Sequence, residues 1–172
     1  LFDAIMDAIS AANQDPSPLL SAPIPVSGAI ACPPPTAHSG VRILVAEDND
    51  VNQIVTQEVL AKSGFQCDIV GDGRKAVERA LAGNYDLILM DCQMPVMDGF
   101  DATRMIRSAE AAGGGRSRLP IVALTANAMK GDRERCLEAG MDAYASKPIN
   151  PQELLRTIER VLRGGSTTAE AA

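Results

Sequence analysis

The 172 residues suit one domain of ordinary size with extensions, and 46% hydrophobic against 22% charged residues is the balance of a soluble globular chain. A net charge of −6 argues against nucleic acid as a partner, and every apolar run falls short of the about 18 residues that a membrane span requires, so no direct membrane insertion is expected. Four scattered cysteines with no CxxC spacing suit a reducing cytoplasm, and a single histidine, His38, excludes Ser-His-Asp catalysis and multi-His metal sites from the folded part.

The first residue is Leu, so a longer parent chain is expected. Residues 1–12 open with apolar side chains at 1, 2, 5, 6 and 9, the stripe of an amphipathic helix. Residues 13–40 are dense in Pro, Ser and Ala and read as a linker, because proline removes backbone donors and favours extended chain. A folded domain is expected over 41–164, and 165–172 as a flexible tail.

Within that domain two hydrophobic periods alternate. Val41 to Ala46 reads as a strand, followed by a helix from Asp50 to Ser63 with Val51, Ile54, Val55, Val59 and Leu60 on one face. Asp50 can cap this helix, with Gln53 at its third position and Gly64 at its end. Gln66–Val70 is a second strand, Asp72–Ala82 a second helix stopped by Gly83, and Tyr85–Met90 a third strand. A third helix starts near Asp98, which caps it, with Gly99 allowing a tight turn into it. Ile121–Leu124 is a fourth strand, and Met129–Ala139 a helix with Gly131 in its first turns and no clear cap. Asp142–Ala145 is a fifth strand. The last helix begins at Asn150-Pro151-Gln152-Glu153, which combines an N-cap, a first-turn proline and a capping-box acid.

Five strands alternating with helices, the central strands apolar throughout, predict a parallel sheet covered on both faces. Right-handed crossovers then give a flavodoxin-like (βα)5 three-layer α/β sandwich with strand order 2-1-3-4-5. Sites in such sheets lie at the carboxyl ends of the strands. Glu47 and Asp48 follow strand one, Asp91 strand three, Thr125 strand four, and Ser146-Lys147-Pro148 strand five. Strands one and three are neighbours in this order, so three carboxylates converge. Two unit charges about 4 Å apart repel by about 4 kcal/mol at an effective dielectric of 20, so the cluster requires a shifted proton or a cation. A few hard oxygen ligands favour Mg²⁺, or Mn²⁺. Lys147 and Thr125 supply a positive charge and a hydroxyl donor that suit phosphoryl oxygens, and a carboxylate can be the nucleophile that forms an aspartyl phosphate.

Three motifs, VAEDNDVNQ (45–53), LMDCQMPVMDG (89–99) and VALTANAMKGDRERCLEAGMDAYASKP (122–148), resemble the receiver domain of two-component response regulators, above all those of hybrid sensor histidine kinases. The resemblance covers Val41 to Arg163. It implies that Asp91 is the phosphoacceptor, and that Glu47, Asp48 and Asp91 hold Mg²⁺ together with the backbone carbonyl of Gln93. It further implies Thr125 as switch hydroxyl, Lys147 as the phosphate-pairing lysine, Tyr144 as switch aromatic and a cis bond at Lys147–Pro148. The implied partner is a histidine kinase or a histidine phosphotransfer protein, and the implied location is the cytoplasm. LFDAI at the start also resembles the last helix of such receivers, so an upstream receiver in the same chain is expected. Phosphorylation is expected to draw Thr125 inward, let Tyr144 rotate, and change the face formed by the fourth helix, fifth strand and fifth helix.

Other readings are open to the sequence. Taken singly, a strand-end Asp is more often a helix cap, and Met90, Met94 and Met97 are packing residues. Asn52 either faces the site or is solvated. A stand-alone response regulator fits the same motifs. A flavin carrier would share the fold, but EDND in its first loop repels a phosphate and aromatics are only 3%. A phosphoaspartyl phosphatase would place a second acid where Gln93 stands.

Overall fold

The alternating periods of the sequence become ten short elements: β1 (Arg42–Ala46), α1 (Asp50–Lys62), β2 (Gln66–Val70), α2 (Gly73–Ala82), β3 (Leu87–Asp91), α3 (Gly99–Ala111), β4 (Ile121–Thr125), α4 (Lys130–Glu138), β5 (Ala143–Ser146) and α5 (Pro151–Leu162). The computed structural model describes residues 38, 40–113, 118–126 and 130–164. The expectations for residues 1–12 and for 165–172, nearly all of 13–40, and the start of the helix placed at Met129 lie outside the described residues.

The five strands form one parallel sheet in the order β2-β1-β3-β4-β5, the doubly wound order expected. Register aligns Ala46 with Met90, Asp91 with Leu124, and Thr125 with Ser146. Because side chains alternate across a strand, each central strand feeds both layers. Leu44, Ala46, Ile88, Met90, Ile121 and Ala123 face α2, α3 and α4, where Ala76, Ala80, Ala102, Ile106 and Cys136 meet them. Ile43, Val45, Leu87, Leu89, Val122 and Leu124 face Leu60 of α1 and Leu154, Ile158 and Val161 of α5. β3 and β4 are buried over their whole length, and the core strands are apolar up to their last residue.

Helix starts follow the caps read from the sequence at two of three positions, Asp98 and Asn150, and Asp72, read only as the start of its helix, caps α2. Asp72 accepts from Lys75 N, Asp98 from Asp101 N, and Asn150 from Gln152 N and Glu153 N. At α1 the cap is Asn49 rather than Asp50: its side chain accepts from Val51 N and Asn52 N. The buried face of α1 also differs from the expected one. Val51, Ile54 and Val55 are 68%, 60% and 42% exposed, while Thr56 and Leu60 are buried. The cause lies at the first turn. Asn52 Nδ2 donates to Glu47 Oε1 at 2.8 Å and Gln53 Nε2 to the Glu47 carbonyl at 2.8 Å, so polar residues claim the inward side.

His38 packs against the domain. His38 stacks on Phe65 with ring centroids 4.3 Å apart, and its Nε2 lies 3.4 Å from Glu159 Oε1. At the opposite end of the sheet from the strand-end acids, Arg107 binds Glu110, Asp142 and the Gly140 carbonyl, tying α3 to the start of β5.

Candidate functional site

β1 and β3 run side by side and end level with each other, so the residues that leave them meet at the sheet's carboxyl edge. Asp91 is the last residue of β3 itself and is 4% exposed. Glu47 follows β1, is fully buried, and is anchored by Glu47 N donating to the Val70 carbonyl at 3.0 Å. Asp48 is exposed. One carboxylate oxygen from each of Glu47, Asp48 and Asp91 lies within 4.8 Å of the others.

Lys147 reaches across from the end of β5, its place fixed by its own N–H donating to the Thr125 carbonyl at 2.7 Å. Its Nζ lies 2.6 Å from Asp91 Oδ2 and 2.6 Å from Glu47 Oε2. One ammonium thus serves two carboxylates. Burial pushes the Asp91 carboxyl above the ordinary carboxylate range, against hydrogen bonds from Lys147 and from Gln93 N, which donates to Oδ1 at 3.1 Å. Burial alone would pull Lys147 down, but its bonds to Asp91 and Glu47 and their charges outweigh it, and the ammonium is held above its usual range. The two directions have different causes: burial raises the Asp91 carboxyl, and the two acids raise the Lys147 ammonium against burial.

The donor set fits a hard divalent cation. It is made of oxygens only, two carboxylates compete for one lysine, and Glu47 Oε2 has no aligned hydrogen bond beyond that ion pair. Thr125 ends β4, is 5% exposed, and lies level with Ser146 of β5. The Lys147–Pro148 bond is cis. Tyr144 on β5 is half-buried against the core, with the Arg133 guanidinium carbon 5.9 Å from its ring centre.

The loop after β3 is held tightly. Gly99 N donates to the Cys92 carbonyl at 3.2 Å, and a Cβ on Gly99 would lie 2.1 Å from the Asp91 carbonyl oxygen. Only glycine permits that approach. Between them Val96 adopts φ +69° while 82% exposed, a backbone state that a β-branched residue rarely takes.

Glu47, Asp48, Asp91, Thr125 and Lys147 therefore stand at the same edge of the sheet, and Tyr144 lies two residues inside the end of β5, level with Ala123. The sequence reading left Asn52 undecided and gave Gln53 only a capping role. The two amides clamp Glu47, and their signal was their place in the first turn of the helix that follows the strand-end acid, five and six residues after it.

Comparison with known proteins points the same way. Residues 43–159 match the family described as the response regulator receiver domain. The chain is 47% identical over 122 residues to the Dictyostelium discoideum protein "Hybrid signal transduction histidine kinase I", which covers 68% of this chain but 7% of the relative. Against Arabidopsis thaliana "Histidine kinase 1" it is 42% identical over 152 residues, again spanning only 12% of that protein. Among solved structures, the receiver domain of sensor histidine kinase PA1611 from Pseudomonas aeruginosa, with magnesium coordinated in its active-site cleft, is 49% identical with TM-score 0.64, covering 73% of this chain and 99% of that one. The receiver domain of Ssk1 in co-crystals with the Saccharomyces cerevisiae phosphotransfer protein Ypd1 is 31% identical with TM-score 0.66, over 69% and 86%.

Proposed function

Because the chain belongs to the response regulator receiver domain family, we propose that Asp91 is its phosphoacceptor and that the domain over 41–164 takes a phosphoryl group from a phosphohistidine. The observation that supports this is the meeting of Glu47, Asp48 and Asp91 within 4.8 Å, with Lys147 Nζ at 2.6 Å from two of them. An Asp91 oxygen forms the new O–P bond as the donor N–P bond breaks and the imidazole departs with the bonding pair. Bound Mg²⁺, for which Mn²⁺ is a chemical substitute, offsets the charge of the phosphoryl oxygens. Glu47, Asp48, Asp91 and the Gln93 carbonyl would hold it. Lys147 takes a phosphoryl oxygen in exchange for its Asp91 bond, and the Thr125 hydroxyl takes another. Tyr144 follows Thr125 and alters the face of α4, β5 and α5.

The donor is a helix of a histidine kinase or histidine phosphotransfer protein. Val51, Ile54 and Val55 give it an exposed apolar strip on α1, one turn from the clamp on Glu47. The parent chain is a cytoplasmic or membrane-anchored hybrid histidine kinase, in which residues 13–40 link this receiver to an upstream one ending at residue 12. The test is incubation with Mg²⁺ and acetyl phosphate, read on a phosphate-affinity gel. The wild type shifts and Asp91→Asn does not; an unshifted wild type overturns the reading.

A further inference from the structure

Two cysteines lie against the site without any part in phosphoryl transfer. Cys92 is the residue after Asp91 and Cys136 sits on α4; their sulfurs are 3.8 Å apart, and the residues are 5% and 1% exposed. They are 44 residues apart in sequence, so the meeting is a product of the fold and links the loop after β3 to α4. A disulfide requires about 2.05 Å between sulfurs, so closure asks for a movement of under about 2 Å. Cys92 has little freedom: its N–H donates to the Leu124 carbonyl at 3.1 Å and its carbonyl accepts from Gly99 N. The movement therefore falls on α4. The pair is not sealed off, because Cys92 lines an open cavity of about 390 Å³ with Asp48, Gln93, Met94, Asp98 and Arg135.

We propose that Cys92 and Cys136 form an oxidisable dithiol, closed to a disulfide by a peroxide and reopened by a dithiol reductant, which fastens α4 to the loop that follows Asp91. A small oxidant is required by the burial. Hydrogen peroxide oxidises one thiol of the pair to a sulfenic acid and leaves as water. The sulfur of the other then attacks that sulfur, the S–O bond breaks, and hydroxide leaves with the attacking thiol's proton as a second water. In sum two thiols and one peroxide give one disulfide and two waters. The consequence for signalling rests on the receiver reading above: α4 belongs to the face expected to move, and a covalent tie to a pinned loop opposes that movement.

The test treats the full chain with hydrogen peroxide, blocks remaining thiols in denaturant, and maps tryptic peptides. Arg79, Arg104, Arg135 and Arg156 separate the two cysteines onto different peptides, 80–104 and 136–156. The expected product is that pair cross-linked, two hydrogens lighter than the sum of its parts, and split by dithiothreitol. Cross-links through Cys32 or Cys67 instead, sulfinic acid on Cys92 without a cross-link, or two free alkylated thiols each overturn the proposal, and none requires a variant to fold. NMR then reads the consequence. Beryllofluoride, a phosphoryl analogue, is expected to shift amides in 130–146 of reduced protein, and the oxidised protein is expected to lose more than half of those shifts while keeping those near Asp48. Cys136→Ala restores the reduced pattern after peroxide. Equal responses in both redox states overturn the claim on α4. A reduced protein that ignores the analogue refutes the receiver reading instead, leaving the peptide map to decide the disulfide.

Discussion

At the scale of single residues, Asp91 is held in a state that its fold disfavours. Burial raises its pKa in the native protein, so the native state binds the proton more tightly than the unfolded chain does. The sign follows: stability falls as pH rises from the ordinary carboxylate value through the raised one, and the loss is complete above it. Asp91→Asn removes that charge and leaves Lys147 with Glu47 alone. In metal-free buffer at neutral pH the variant is expected to be more stable than wild type by about 1–3 kcal/mol, the scale of a poorly compensated buried polar group. The gap closes in acid below the ordinary value of about 3.9, where both states carry the proton. Chemical denaturation across pH measures this, and a variant less stable than wild type at neutral pH refutes it. Gly99 is constrained by shape rather than charge. Its missing Cβ would meet the Asp91 carbonyl oxygen at 2.1 Å and Met90 Cγ at 2.9 Å, so Gly99→Ala must displace the end of β3. Overpacking of this kind costs about 1–3 kcal/mol, and a displacement of about 1 Å at a reacting group can cost a hundredfold in rate. Phosphorylation by acetyl phosphate is expected to slow at least tenfold, on order-of-magnitude grounds. Gly71 has open space around it, and Gly71→Ala is the control that should change neither quantity. Equal rates for the two variants would remove the steric argument.

At the scale of elements, α1 shows where local reading stops. Its apolar residues at 51, 54, 55, 59 and 60 suggest one buried stripe, yet only the later part faces the core. Rotation is set by Asn52 and Gln53, which reach Glu47, a residue on another element. No window within the helix contains that information. The central strands β3 and β4 were legible because burial on both faces leaves no polar position before their last residue, and the acids were legible because they end such runs at the edge where doubly wound folds place their sites. Caps were legible where a single good candidate stood before the helix; Asn49 and Asp50 are both good candidates, and only the backbone decides between them. The Cys92–Cys136 pair comes from tertiary packing and had no local signal, and the φ of Val96 belongs to the tight turn that Met97 N closes onto the Pro95 carbonyl. The exposed strip that remains on α1 gives a selective prediction. Ile54 is 60% exposed, so Ile54→Asp should leave stability within about 0.5 kcal/mol and leave acetyl phosphate labelling unchanged. Transfer from a phosphohistidine protein, which must dock, should fall tenfold or more, as loss of about 1.4 kcal/mol or more of contact energy implies. Parallel labelling by both donors measures it. Equal loss with both donors would mean that the helix, and not the interface, was damaged.

At the scale of the whole molecule, the proposed cation site and the stability of the fold are linked through the same carboxylates. Three acids against one ammonium leave two negative charges uncompensated at the end of β1 and β3. The unfolded chain has no such cluster, since Glu47 and Asp91 lie far apart in sequence. A cation that binds only the native state stabilises it by RT ln(1 + [L]/Kd), about 2.7 kcal/mol at a hundred times Kd. Tm at neutral pH is therefore expected to climb with the logarithm of Mg²⁺ concentration, and sodium chloride at matched ionic strength should not reproduce the climb. Asp48 is exposed and makes no described ion pair in the site, so Asp48→Asn removes a ligand at little cost to the fold and should flatten the curve. Acid should flatten it too. A proton on Asp91 competes with the ion, and because burial raises that pKa, the competition begins at a higher pH than for an ordinary carboxylate. A wild-type Tm independent of Mg²⁺, or a climb that survives in Asp48→Asn, would mean that the charge of this edge is relieved by protons and by Lys147 alone. The observed pairing at 2.6 Å on two acids makes that the one rival arrangement the titration must separate.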